Sequence, residues 1–403
     1  MTIPGIRQME FVPLMALMIS MVALSIDIML PALEAIGDDL GTTHPNDNQM
    51  VISFLFFGFS VGQLFFGPLS DSIGRKRAIF MGLALFMAGC VISLVAVDFT
   101  TMLLGRFLQG IGAASPRTVS TALIRDMFAG RQMARITSMV MTVFILVPVI
   151  APALGQGVLA IGHWRILFGL MLLLALIVCI WFGLRLPETL HPSKRKPFSF
   201  GRLRGMVWTT CCNRITLGYT LAMGLIFGAF IGYLVSVQQI LQQQYALAAR
   251  FPLYFSLLAL CVGAASMTNA RLVMKWGMQL LVRSALTFQI VISTTVLLLF
   301  HNGMTQLPLS GLMAWGGGCL FCMGILFGNI TALAMEPMGH QAGVAASVVG
   351  ALSSFISMSL GTGIGQMYDG TVIPLISGFA LLGLGALMMV NWTERRRRSS
   401  NTC

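Results

Sequence analysis

Apolar runs of about twenty residues alternate with short polar breaks along the whole chain. A bilayer hydrocarbon core about 30 Å thick asks for roughly 20 apolar residues in helical form. On that measure the pattern predicts spans over 11–34, 49–70, 78–97, 101–124, 134–159 and 165–185. Six more follow, over 215–239, 250–270, 280–301, 309–335, 344–367 and 372–392. Between the two sets lies a polar stretch from Leu186 to Arg214, with Pro187, Pro192 and Pro197 and the run Lys194-Arg195-Lys196. The expected fold is therefore all-α: a polytopic membrane protein of twelve transmembrane helices in two pseudo-symmetric six-helix bundles. The first bundle takes 1–185, a linker loop 186–214, and the second bundle with its basic tail 215–403.

The polar breaks differ in sign. One alternating set holds Arg7; Arg75, Lys76 and Arg77; Arg125, Arg131 and Arg135; the linker; Arg271, Lys275 and Arg283; and the tail Arg395 to Arg398. The other set has only Arg165 and Arg250, with Glu34, Asp38, Asp39, Asp47, Asp98 and Asp369. Lys- and Arg-rich loops stay on the cytoplasmic side. Both termini and the linker should then be cytoplasmic, in an inner membrane. The two halves are faintly similar to each other. Asp71-Ser-Ile-Gly74 after the second span is echoed by Met274-Lys-Trp-Gly277 after the eighth, with the glycine kept and the acid lost.

Composition agrees with this layout. Hydrophobic residues make up 57% and charged residues 9%, against roughly 25% charged in soluble domains. The net charge of +12 sits in loop bursts and forms no aromatic-interleaved basic face, so nucleic acid is not an expected partner. Cys90, Cys179, Cys261, Cys319 and Cys322 fall in spans, and Cys211, Cys212 and Cys403 in cytoplasmic segments, so no disulfide framework is implied. Cys319-x-x-Cys322 lies in a Gly-rich apolar span and reads as small packing residues. The stretch from Phe11 to Pro31 is too long for a signal-peptide core and lacks an A-x-A site, so it reads as a retained span. His44, His163, His191, His301 and His340 lie near loops. No metal-ligand spacing, phosphate-binding Gly-rich loop or nucleophile elbow occurs, so neither a cofactor nor an enzyme activity is expected.

Against an apolar background, charge is the signal. Asp27 lies inside the first run, where a carboxylate is costly and marks function by default. Apolar surroundings favour the neutral form of an acid, which suits a group that binds and releases protons. Pro31 has no N–H for the Asp27 carbonyl, so a kink is expected there. The other reading is that the first span ends early and Asp27 meets external water. Arg106 enters the fourth span, needs an anion or carbonyls, and has Asp27 as its expected partner; the other reading is an arginine snorkelling to the boundary. Arg106, Gln109 or Gly110, Ala113 and Arg117 repeat on one helix face, and Arg117 either points to a cavity or snorkels inward. Pro148, Pro152 and Gly155 crowd the fifth span, which reads as a bent, hinge-like helix or as plain packing. Gln63, Gln238, Gln239, Asn329 and Gln366 are amides able to line a cavity or to bond a neighbouring helix. The 29 Met and 27 Phe residues fit an adaptable binding surface and lipid packing equally.

The most specific motif is Gly67-Pro-Leu-Ser-Asp71-Ser-Ile-Gly74-Arg75-Lys76-Arg77. Gly67 and Pro68 read as the end of the second span, Gly74 as a tight turn and Asp71 as an acid for a nearby helix N-terminus or a basic partner. Arg75 and Asp126 lie at inner helix ends and are placed to pair. This stretch resembles the signature loop of the major facilitator superfamily. Ser25-Ile-Asp27-Ile-Met-Leu-Pro31, Gly105-Arg106-Phe-Leu-Gln109-Gly110-Ile-Gly112 and Ala151-Pro152-Ala-Leu-Gly155 resemble helices one, four and five of Bcr/CflA-type drug:proton antiporters. Ala151 and Gln156 replace glycines usual in the last of these. The resemblance implies the major facilitator fold and export of drugs or small amphipathic metabolites, driven by a proton gradient and without a cofactor. It implies Asp27 as the proton or cationic-substrate site, Arg106 as part of the same machinery, and contacts of the signature loop that hold the inner face closed. A monomer is expected. A proton-coupled importer on the same fold and a non-transporting membrane sensor are the alternatives.

Overall fold

The computed structural model describes residues 8–128, 130–195 and 197–400; Arg7, Lys196 and Cys403, named above, lie outside them, as do the side chains of Arg131, Lys194, His340 and Arg396 to Arg398. Among the described residues the secondary structure is helical, without a strand. The helices are α1 (Gln8–Asp27), α2 (Leu33–Leu40), α3 (Met50–Ile73), α4 (Arg75–Leu94), α5 (Phe99–Met127), α6 (Gly130–Ile161) and α7 (Arg165–Arg185). They continue with α8 (Phe200–Cys212), α9 (Arg214–Gln238), α10 (Phe251–His301), α11 (Leu309–Met335), α12 (Ala342–Gln366) and α13 (Ile373–Ser400). The chain divides into two compact units, Met1–Met206 and Val207–Cys403.

Among the described residues, ten helical segments are long and apolar enough to cross a membrane. Two details bring this to twelve spans. The segment Ala248–His301 has 54 residues, about 81 Å of helix at 1.5 Å per residue, more than twice a hydrocarbon core. It contains two spans that meet at Gly277. Helix α5 is long enough but carries Arg106, Gln109, Arg117, Arg125 and Asp126 among Gly, Ala and Ser, so it is less apolar than the other spans.

The Gly277 junction explains the faint internal echo. Gly74 joins α3 to α4 at φ 105° and ψ 156°, and Gly277 joins the two arms of α10 at φ 73° and ψ 160°. Both pair a positive φ with an extended ψ, a region open essentially to glycine alone. The same backbone device thus turns the chain after the second and the eighth spans.

In the first unit α5 is the centre, flanked by α3 and α4. Small residues permit the contact: a Cβ on Gly110 would stand 2.0 Å from the Leu55 carbonyl oxygen of α3, and one on Gly112 would stand 2.2 Å from the Phe86 nitrogen of α4. Without a hydrophobic drive between helices in lipid, close backbone packing supplies the attraction. Asp98 caps α5 by accepting from the Thr101 N–H at 2.8 Å and its hydroxyl at 2.7 Å, and these bonds hold its carboxyl below the usual carboxylate range. In the second unit α9 is the centre, packed by α11, α12 and α13. The Tyr219 hydroxyl donates to the Glu394 carboxylate and ties α9 to α13.

The kink expected at Pro31 is present inside one apolar span, Glu10–Leu40: α1 stops at Asp27, and a 3-10 turn Leu30–Ala32 leads into α2, because Pro31 cannot donate. Two expectations are corrected. Helix α3 does not end at Gly67-Pro68 but runs on to Ile73. The Gly67 carbonyl takes a bond from the Ser70 hydroxyl at 2.8 Å, and the turn waits for Gly74. The linker is not all loop, since α8 occupies Phe200–Cys212 with Leu203 and Thr210 buried on one face.

Candidate functional site

The break after α1 places Asp27 inside the first unit. Its side chain is 3% exposed, and no hydrogen bond or ion pair among the described residues reaches its carboxylate. This sets aside the reading in which Asp27 meets water. Helix α6 supports the break. A Cβ on Gly155 would stand 2.2 Å from the Ile28 carbonyl oxygen, so only glycine lets α6 approach the chain here. Pro148 and Pro152 lie within α6, which runs unbroken from Gly130 to Ile161.

Arg106 is fully buried, and its partner is not Asp27. Its Nε donates to the Val51 carbonyl at 2.9 Å, Nη2 to the Ser25 carbonyl at 2.9 Å and Nη1 to Gln109 Oε1 at 2.7 Å. Its guanidinium carbon also lies 5.8 Å from the Phe168 ring centre. The expected pair with Asp27 is thus corrected. Carbonyls of α1 and α3 hold the cation, two residues before Asp27 on the former. A guanidinium has five donors in a fixed fork, and three helices converge on it. Gln109 is committed to the same cluster: its Nε2 donates to Cys90 Sγ at 3.1 Å and Met171 Sδ at 3.7 Å. It orients Arg106 and has no free amide for a ligand. Snorkelling is excluded for a side chain with 0% exposure.

Arg117 differs. It is partly exposed and lies 5.4 Å from the Phe144 ring centre on α6. Gln63 on α3 is also partly exposed. In the second unit Gln238 and Gln239 are buried where α9 passes into a π-helical turn, Gln239–Gln244, and Gln238 donates to Gln242 at 2.7 Å. Such turns occur often at functional sites. Asn329 donates to Asn269 at 2.7 Å and to its own helix at Ile325, 3.0 Å. Gln366 closes α12, partly buried. Cys319 and Cys322 are buried in α11, with Cys319 Sγ 3.7 Å from Ser293 Oγ.

The signature loop forms a charged knot. Arg75 pairs with Asp71 at 2.6 Å and Asp126 at 3.0 Å, and donates to Ser70 Oγ at 2.6 Å. Arg75 is buried while the two acids are partly exposed. A further member carried no expectation from sequence. Glu188 accepts from the N–H groups of Arg75 at 3.0 Å, Lys76 at 3.1 Å and Leu190 at 3.0 Å. Its carboxylate caps the positive end of α4, the usual place for an anion. A Cβ on Gly74 would stand 2.3 Å from Glu188 Oε2, so glycine is needed for room as well as for φ. The available signal was an acid after Pro187 in a basic stretch. At the other end of the unit, Arg165 bonds Asp39 at 2.7 Å and the Ala96 carbonyl at 2.8 Å.

Residues 15–362 match the model of the Major Facilitator Superfamily. The "Bicyclomycin resistance protein homolog" of Haemophilus influenzae is 27% identical over 91% of this chain and 90% of its own length. The "Multidrug resistance protein D" of Escherichia coli K12 is 24% identical over 98% of each. Among solved structures, the xylose transporter XylE from E. coli in a partially occluded inward-open conformation matches with a TM-score of 0.71 at 12% identity, covering 94% of this chain and 96% of that one.

Proposed function

Given that the chain belongs to the Major Facilitator Superfamily, a family of multi-pass membrane transporters of small molecules, we propose that it exports drugs or small amphipathic metabolites in exchange for protons. The observation that carries this reading is Asp27: a buried carboxylate without a partner among the described residues, at a helix break held by Arg106 through Ser25. Exchange follows from competition. Deprotonated toward the cytoplasm, Asp27 attracts a substrate; protonated from outside, it releases that substrate. Each inward proton contributes about 2.3 kcal/mol per 100 mV of membrane potential, plus its pH gradient. The names of the two relatives, which speak of resistance to bicyclomycin and to multiple drugs, support the direction.

In this reading the protein lies in the inner membrane as a monomer with both termini cytoplasmic, because the basic loops gather on one side. Bundles at 1–185 and 215–403 alternate access about the linker 186–214. The knot of Gly67, Asp71, Gly74, Arg75 and Asp126 favours the state closed at the inner face. A gate needs only a few kcal/mol of bias. Pro148, Pro152 and Gly155 let α6 flex against the Asp27 break; Gln63 and Arg117 are the polar side chains that the first unit by itself offers to a substrate, and Gln238, Gln239 and Asn329 those that the second unit by itself offers.

The test is transport in vesicles of purified protein with an imposed pH gradient, using compounds chosen from a toxicity panel on cells with and without the gene. Substrate should move against the proton flow, and adding substrate to detergent-purified protein should release protons. Movement with the protons identifies the importer instead. No movement of any compound from the panel leaves the sensor reading.

A further inference from the structure

Arg117 lies eleven residues beyond Arg106 on α5, about 20° off three full turns and about 16 Å along the axis. The two cations share a helix face but not a fate. Arg106 is bonded to two carbonyls and an amide. The Arg117 guanidinium donates to no group among the described residues and rests over the Phe144 ring. The acids of the unit that form ion pairs are held elsewhere: Asp71 and Asp126 by Arg75, Glu10 by Arg185, Asp39 by Arg165. An arginine stays charged within a membrane span and calls for an anion. No bond among the described residues occupies its N–H edge, which is the edge that binds carboxylates in pairs of bonds.

The opposite charge is also unpaired. Asp27 has no partner among the described residues, and the two are not bonded to each other. Helix α6 connects their positions. Gly155 touches Ile28, next to Asp27, and Phe144 lies under Arg117. Gly155 and Phe144 are eleven residues apart, so they too sit on nearly the same face at levels about 16 Å apart. One face of α6 thus runs from an unpaired anion to an unpaired cation.

We propose that this transporter takes amphipathic zwitterions: an anionic group binds the Arg117 fork, a cationic group binds Asp27, and an elongated ring-bearing body lies along α6. This rests on the transporter reading and names its substrate class. Arg117 acts as a specificity residue, and proton exchange at Asp27 still releases the substrate, because protonation removes the attraction for the cationic end.

Equilibrium binding to the purified full-length protein tests it, with norfloxacin as the probe. Norfloxacin carries a carboxylate and a piperazine ammonium, and its own fluorescence reports binding. Its ethyl ester lacks the anion and its N-acetyl derivative lacks the cation. Wild type should bind the zwitterion at least about tenfold more tightly than either derivative, the scale of one charge-assisted bond. Arg117→Gln should erase the preference over the ester and keep that over the N-acetyl form; Asp27→Asn should do the reverse. Arg117→Lys, which keeps the charge, should retain part of the first preference. Equal binding of acid and ester by wild type, no binding of norfloxacin, or an equal loss for acid and ester in Arg117→Gln overturns the proposal. The wild-type comparison needs no variant to fold. Binding at equilibrium has no direction, so these failures leave proton-driven export standing, and a failure of proton exchange leaves the binding preferences intact.

Discussion

The Arg106 guanidinium on α5 donates through Nη2 to the main-chain carbonyl of Ser25 on α1, 2.9 Å away and two residues before Asp27. Through that bond and its counterpart at Val51, a side chain of the central helix sets the position of the helix break. Removing the guanidinium leaves the buried Ser25 carbonyl at the helix break without its donor, at about 1–3 kcal/mol, and takes from the Val51 carbonyl the bond that ties α3 to α5. Arg106→Met should therefore lower the thermal midpoint of the purified protein and abolish transport together. Arg106→Lys should recover part of the stability, because an ammonium reaches fewer of the three acceptors. A variant of unchanged midpoint and no transport would mean that Arg106 acts on substrate directly.

Asp27→Asn tests the proton role apart from the fold. The side chain keeps its size, and no hydrogen bond is lost because the carboxylate makes none among the described residues. In wild type, substrate affinity should fall as pH falls, since the proton and the substrate compete for one carboxylate. In the variant it should be flat with pH. Vesicles carrying the variant should still let substrate run down its own gradient while an imposed pH gradient drives nothing. Affinity that still falls with pH in Asp27→Asn would place the proton on another group.

The spans were readable because lipid asks the same of every one of them. Helix α7 occupies Arg165–Arg185 and α11 Leu309–Met335, as their apolar runs predict. What the pattern hid has physical causes. Ile28, Met29 and Leu30 remain apolar across the break, so hydropathy runs through it and only Pro31 betrays it. Helix α8 was hidden by Gly201 and Gly205 among its arginines, which read as loop. Asp27 and Arg106 stood out as charges in lipid, yet their relation did not. Arg106 binds carbonyls, which every residue possesses and no sequence pattern marks. Glu188 escaped for the same reason, since it binds main-chain N–H groups of residues more than a hundred positions away.

Glu188 should be worth more than a surface charge. It places a carboxylate on the first two N–H groups of α4, a position usually worth about 0.3–1 kcal/mol and up to ~2 kcal/mol when partly buried. Glu188→Gln keeps an acceptor and should lower the thermal midpoint slightly; Glu188→Ala should lower it further and speed opening of the inner face. Gly74→Ala should do more harm than either, because the added Cβ meets Glu188 Oε2 and the φ of 105° is unsuited to alanine. In Gly74→Ala with Glu188→Ala, the steric part is relieved and the φ strain remains. The double variant should then be less damaged than the sum of the single ones, as read from thermal midpoints and transport rates.

Close packing of α3 on α5 makes the last prediction the sharpest. A Cβ on Gly110 would lie 2.0 Å from the Leu55 oxygen and 2.8 Å from the Phe59 nitrogen. Both are backbone atoms, so no rotamer change relieves the clash and the helices must part. Overpacking of this kind costs about 1–3 kcal/mol, and parting α3 from α5 also pulls Val51 away from Arg106. Gly157 on α6 is the control, with nothing within 4 Å of its added Cβ. Gly110→Ala should reduce the yield of monodisperse protein, its thermal midpoint and its transport. Gly157→Ala should leave all three unchanged or raise the midpoint, since alanine favours helix over glycine by up to about 1 kcal/mol. If the two substitutions behave alike, the α3–α5 contact is not the constraint that holds the Arg106 site together.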